Sequence, residues 1–115
     1  MTFKVINIKN ILRLIVFSVL SNVAFAESME GKKIAFDRSK GNCLACHAID
    51  DGEMPGNIGP PLIAMKARFP ERAVLRAKIW DATSKNPITI MPPFGRHHIL
   101  SNAEIDKIID YLYTL

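Results

Sequence analysis

The chain has 115 residues, 15 of them basic and 11 acidic, for a formal charge of +4. That length leaves room for one domain. Three of the basic residues (Lys4, Lys9 and Arg13) sit in an N-terminal leader whose removal leaves a net of +1, and no basic stripe carries interleaved aromatics, so nucleic-acid binding is set aside.

Residues 1–26 read as a secretory signal peptide. Lys4, Lys9 and Arg13 form its positive start, and Leu14-Ile15-Val16-Phe17-Ser18-Val19-Leu20 its apolar core. Ala24-Phe25-Ala26 is an A-x-A cleavage site with Glu27 as the new N-terminus. The rival is a transmembrane anchor, but the apolar run after Arg13 ends at Ser21-Asn22, short of the roughly 20 residues a span needs. The expectation is therefore an exported, periplasmic protein whose mature domain, residues 27–115, has no membrane span. A domain that small has a marginal core and gains from a staple.

A first helix is expected from about Met29 to Arg38, closed by Gly41. Next comes Cys43-Leu44-Ala45-Cys46-His47. Two nearby cysteines in an exported chain are open to three other readings: a disulfide, a redox dithiol or half of a zinc site. The histidine directly after the second cysteine decides for covalent haem c, because C-x-x-C-H is its attachment motif. Cys43 and Cys46 reach the two vinyl groups on one haem edge, and His47 rises beneath the iron as proximal ligand. A redox dithiol has no use for that histidine. His97 and His98 are adjacent and lack the spacing of a zinc-finger pair.

Residues 48–67 form a Pro- and Gly-rich irregular piece. Long structureless loops in a small domain usually line a functional site, and wrapping a haem is such a task. Within it, Gly59-Pro60-Pro61-Leu62 offers the Pro60 carbonyl as acceptor for the second ring N–H of His47. An ordinary turn is the alternative. A second helix is expected from Phe69-Pro70, with Leu75, Ile79 and Ala82 on one face, fading before Asn86-Pro87.

The second irregular piece, residues 86–100, holds Ile90-Met91-Pro92-Pro93-Phe94-Gly95. Prolines stiffen this loop, so it can present a thioether at a set distance. Among Met29, Met54, Met65, Met91, His97 and His98, Met91 is the expected sixth ligand to iron, with His98 or His97 as alternatives. Met65, flanked by Leu62-Ile63-Ala64, reads as core filler. The last helix opens on a capping box, Ser101-Asn102-Ala103-Glu104, and carries Ile105, Ile108, Ile109 and Leu112 at helical spacing.

The order of these parts resembles class I cytochrome c, an all-α fold of helices wrapped around one haem. More narrowly, residues 41–47, 55–62 and 86–97 resemble SoxX, the monohaem subunit of the SoxAX complexes of bacterial sulfur oxidation, as do Phe69-Pro70-Glu71-Arg72-Ala73 and Asp81-Ala82-Thr83. The resemblance implies a periplasmic heterodimer with a SoxA-like monohaem or dihaem cytochrome. That pair would act as an L-cysteine S-thiosulfotransferase, joining thiosulfate to a cysteine of the SoxYZ carrier, with electrons leaving to a soluble acceptor. It implies His47 and Met91 as iron ligands and places bond making on the partner; no residue here resembles a dedicated nucleophile or acid–base pair. A stand-alone respiratory cytochrome c is the second reading, and a haem sensor with an open sixth position a third. The expected partner face is an apolar patch of Met54, Ile58, Pro92 and Phe94, with Arg96, His97 and His98 beside it; the alternative is that these residues only pack against their own haem.

Overall fold

The computed structural model describes residues 7–115. Lys4 of the leader lies outside them. The described chain is helical, with no strand among these residues: α1 (Ile8–Phe36), α2 (Met65–Arg68), α3 (Arg72–Trp80) and α4 (Asn102–Leu112), plus 3-10 turns at Cys43–Ala45 and Ala82–Ser84.

Helix α1 begins about 20 residues earlier than the amphipathic pattern suggests, and it runs unbroken through Ala24-Phe25-Ala26. The reason is local. From Ile8 to Glu30 there is neither glycine nor proline, and the near-continuous apolar run from Leu14 to Leu20 shows no 3.6-residue period to read. Phe17 and Phe25 are both exposed, and the apolar stretch is not buried against the rest of the protein. By length and composition α1 is able to cross a bilayer, with a mean hydropathy of 1.6 over its apolar window, properties that an export leader shares.

The end of α1 is set by Asp37, not Gly41. The backbone of Asp37 is extended, and its carboxylate accepts from the Ser39 backbone N–H at 2.7 Å, which turns the chain out of the helix. Gly41 has no left-handed conformation; it is buried where the chain folds back, donating its N–H to the Ile34 carbonyl at 3.2 Å.

The last turns of α1 pack on α4. At Gly31 the two backbones approach so closely that a Cβ would overlap the Lys107 carbonyl. Ala35 is fully buried nearby, and Phe36 meets Tyr111 edge to face at 6.1 Å. Ile105, Ile108 and Ile109 of α4 form the most deeply buried part of the core. Met65 joins it, in accord with its reading as filler. The outer face of α4 is tied to α3 by Arg72 to Asp110 at 2.5 Å and Arg76 to Asp106 at 3.0 Å.

Helix α3 starts at Arg72, two residues after the expected start. Phe69 belongs to the preceding turn, since its N–H closes α2 on the Met65 carbonyl at 2.8 Å, and its own carbonyl accepts from the Tyr113 hydroxyl at 2.8 Å. Leu75 and Ile79 are buried as expected, whereas Ala82 has left the helix for the following 3-10 turn.

The capping box of α4 is formed on both sides: Ser101 Oγ accepts from the Glu104 N–H at 3.2 Å, and the Ser101 N–H donates to Glu104 Oε2 at 2.9 Å. The Lys40 ammonium, and after it the Ser101 N–H, hold the Glu104 carboxyl down at about 2. A depressed carboxyl contributes stability that is full above its ordinary value near 4.5 and is lost as pH falls toward 2. Glu104→Gln is therefore expected to lower stability at pH 7 and to flatten its dependence between pH 4.5 and 2, measured by urea unfolding across that range. Gly31→Ala is expected to cost about 1–3 kcal/mol in the same measurement, because the colliding atoms are backbone.

Candidate functional site

The site grows from the turn after α1. Asn42 takes a left-handed conformation, φ 46°, which asparagine tolerates better than most side chains, and Cys43–Ala45 coil into one 3-10 turn. The N–H groups of Cys46 and His47 both close on the Cys43 carbonyl, at 3.2 and 2.9 Å. This turn brings the two cysteines and the histidine together at the end of α1.

The first loop is laid alongside. The N–H groups of Gly56, Gly59 and Leu62 donate to the carbonyls of Leu44, Cys46 and Ala48, at 2.9, 2.8 and 2.8 Å. These three bonds fix Gly59-Pro60 against His47. His47 Nδ1 lies 2.7 Å from the Pro60 carbonyl oxygen. A carbonyl only accepts, so Nδ1 carries the proton and the lone pair is on Nε2. Gly59 sits flat on the imidazole, where a Cβ would overlap the ring. The ring is thus held by a hydrogen bond on one side and by backbone on its face, with Nε2 left free to serve as a ligand.

Both cysteines are free thiols, so the disulfide reading has no support in the geometry. Burial pushes the Cys43 thiol up to about 11, and neighbouring Cys46 adds to the shift. Redox-active dithiols show the reverse, a thiol lowered toward the thiolate. Among the described residues no group of three or more His, Cys, Asp or Glu side chains is gathered as a metal cage.

Met91 sits on the second loop. It is half-buried against the margin of the core, and its N–H bonds Thr89 Oγ1 at 3.2 Å. The other sulfur candidates are placed differently. Met54 is 97% exposed, Met65 is in the core, and Met29 lies on α1. His97 and His98 are exposed. The expected apolar patch needs a correction. Met54, Ile58 and Pro92 are exposed, but Phe94 is buried, because its ring plugs the core beside Leu100.

A thioether-forming cysteine pair, a histidine with a free Nε2, and two loops bearing the exposed apolar side chains Ile58, Ile63 and Ile90 make a donor set and flanking surface that fit a haem. Comparison with known proteins agrees. Residues 28–112 match the family described as cytochrome c oxidase, cbb3-type, subunit III. The chain belongs to that family. Membership makes it a c-type cytochrome, an electron-transfer haem protein that binds haem c covalently. An uncharacterized lipoprotein of Aquifex aeolicus (strain VF5) is 36% identical over 75 residues, which are 64% of this chain and 36% of the relative. The match thus spans about a third of that relative's length.

Two participants escaped the sequence reading. Gly59 and Gly56 are needed because the loop backbone touches the attachment segment directly; a Cβ at Gly56 would overlap the Ala45 carbonyl. The only signal was their place beside Pro55 and Pro60 in a loop already marked as functional. Gly59→Ala is expected to displace the His47 ring, seen as shifted His47 imidazole resonances by NMR while those of His97 and His98 hold still.

Proposed function

We propose that the chain is an exported, periplasmic monohaem cytochrome c whose haem is joined through Cys43 and Cys46 and whose iron is ligated by His47 and Met91. Within this, it serves as the SoxX-like electron-accepting subunit of a SoxAX-type complex. The observation that carries the haem assignment is the bond from His47 Nδ1–H to the Pro60 carbonyl, which fixes the ring and leaves the Nε2 lone pair for a ligand. Bound haem supplies one-electron redox chemistry at its iron. The chain's residues do the rest. Cys43 and Cys46 would anchor one edge, His47 would present a fixed lone pair, and Met91 would offer a thioether from the second loop. A His/Met pair raises the potential, which suits an electron acceptor.

The SoxX-like role rests on the sequence blocks at residues 41–47, 55–62 and 86–97. Export is supported by the apolar stretch of α1 and by the similarity to a protein named as a lipoprotein. The second reading is a stand-alone respiratory electron carrier; the family's description as an oxidase subunit favours its respiratory setting.

Tagged protein drawn from its native periplasm is expected to bring down a larger cytochrome with a cysteine-ligated haem; recovery of terminal-oxidase subunits instead supports the respiratory reading. The same preparation is expected to begin at Glu27 by intact-mass analysis, and a full-length chain in the membrane fraction would overturn the cleaved leader. Met91→Ala is expected to abolish the weak near-infrared methionine-to-iron band of the oxidised protein and to open the reduced iron to carbon monoxide, with Met65→Ala as the control that retains the band.

A further inference from the structure

The loop of residues 86–100 has no regular structure, yet the proposed role of Met91 requires its sulfur to be held at a fixed place. What fixes the loop lies after Met91, at the C-terminal end of α3. The Trp80 carbonyl accepts two N–H groups from the loop, Gly95 at 3.1 Å and Arg96 at 3.2 Å. Gly95 lies against the indole of Trp80, where a Cβ would overlap the ring, and Arg76 covers that indole from 5.6 Å. The next residue, Asp81, closes the junction. Its Oδ2 lies 3.1 Å from Arg96 Nη1. Its Oδ1 accepts from the Thr83 N–H at 3.0 Å and from the Thr83 hydroxyl. The Asp81 side chain is only 13% exposed, whereas Arg96 is 52% exposed, so the carboxylate is the fixed partner and the arginine docks onto it.

We infer that Asp81 is a positioning residue for the Met91 loop, holding it through Arg96 so that the Met91 sulfur stays on the iron. The inference rests on Met91 being the sixth ligand. Both carboxylate oxygens are used, one inward to the 3-10 turn Ala82–Ser84 and one outward to the loop, so Asp81 couples the loop to α3 and not merely to solvent. The Thr83 hydroxyl first, and then its backbone N–H, Arg96 and His97, hold the Asp81 carboxyl below its ordinary value, so it is charged wherever the protein is folded near neutrality. Backbone bonds at Trp80 keep the loop near the helix without this pair. The ion pair selects the closed arrangement over one in which Met91 swings off the iron.

The test uses the haem-loaded protein and an external ligand that competes with Met91. Imidazole binding to the oxidised form is followed by absorption in the wild type, Asp81→Asn, Arg96→Gln, the double variant and Met91→Ala. Asp81→Asn leaves Oδ1 able to accept from Thr83 and replaces the charged acceptor toward Arg96 by an amide NH2. Loosening a pair of this exposure is expected to tighten imidazole binding roughly fivefold. Arg96→Gln should give the same change, and the double variant no more than either single one, since both act through one interaction. The near-infrared band should persist in both single variants without imidazole, and thermal unfolding should move little. Wild-type imidazole affinity in Asp81→Asn overturns the inference, as does full additivity in the double variant. If Met91→Ala retains the band and the wild-type imidazole affinity, the ligand assignment itself falls and takes the inference with it. If Met91→Ala loses the band while Asp81→Asn binds imidazole like the wild type, only the role of Asp81 falls.

Discussion

A histidine that ligates a metal must be held by its other nitrogen, or the ring turns and the site loses both geometry and tautomer. In this chain that requirement is met by one backbone carbonyl, Pro60, at 2.7 Å. Proline has no N–H to offer, so the loop is carried by its neighbours, with Gly56, Gly59 and Leu62 donating to the attachment segment. The glycines are there because side chains would not fit between loop and turn. The turn itself depends on α1 ending at Asp37 and folding back through Gly41, which in turn depends on α1 being seated on α4. The site is therefore the far end of a chain of close backbone approaches, each made where a glycine allows it.

Much of this was legible in the sequence, for different reasons in different places. The last helix was clear because its cap and its apolar stripe are both local signals, and both appear in the structure as read. The core role of Met65 was legible from its apolar neighbours. The start of α3 was misplaced because Pro70 looks like a first-turn residue, while the decisive bonds, Phe69 N–H to Met65 and Tyr113 hydroxyl to Phe69, come from outside that window. The burial of Phe94 was missed for a similar reason. A phenylalanine next to two prolines and a glycine looks like surface loop, and only the return of the chain at Leu100 encloses it. Periodicity reports what an element contributes to a face; it says nothing of what another segment lays over it.

The attachment motif and the family agree on the chemistry while leaving the physiological partner to other features. A cytochrome c domain fixes one covalent haem and one electron at a time, and many assemblies use that unit. What separates one assembly from another lies on the loops. The exposed apolar side chains Met54, Ile58, Ile88 and Ile90 all come from the two irregular loops, residues 48–67 and 86–100. Helix α4 and the buried face of α3 are spent on the core, so the loops are free to vary without disturbing it.

The unbroken course of α1 has a consequence for maturation. As it stands the helix starts on Asn7 and has no acidic residue in its first turn. The proposed cut after Ala26 would turn Glu27 into a terminal residue and place Glu27 and Glu30 at the positive pole of the shortened helix, where carboxylates are favourable. They also offset the new α-amino charge, which on its own opposes the dipole. Glu30 is already 3.3 Å from Lys107 on α4. A remnant of about ten residues is too short to persist alone in water, so its helicity comes from α4. On the proposed cleavage, the segment left of α1 would be helical only when docked on α4, so that removing the leader would tie the helix to completion of the fold.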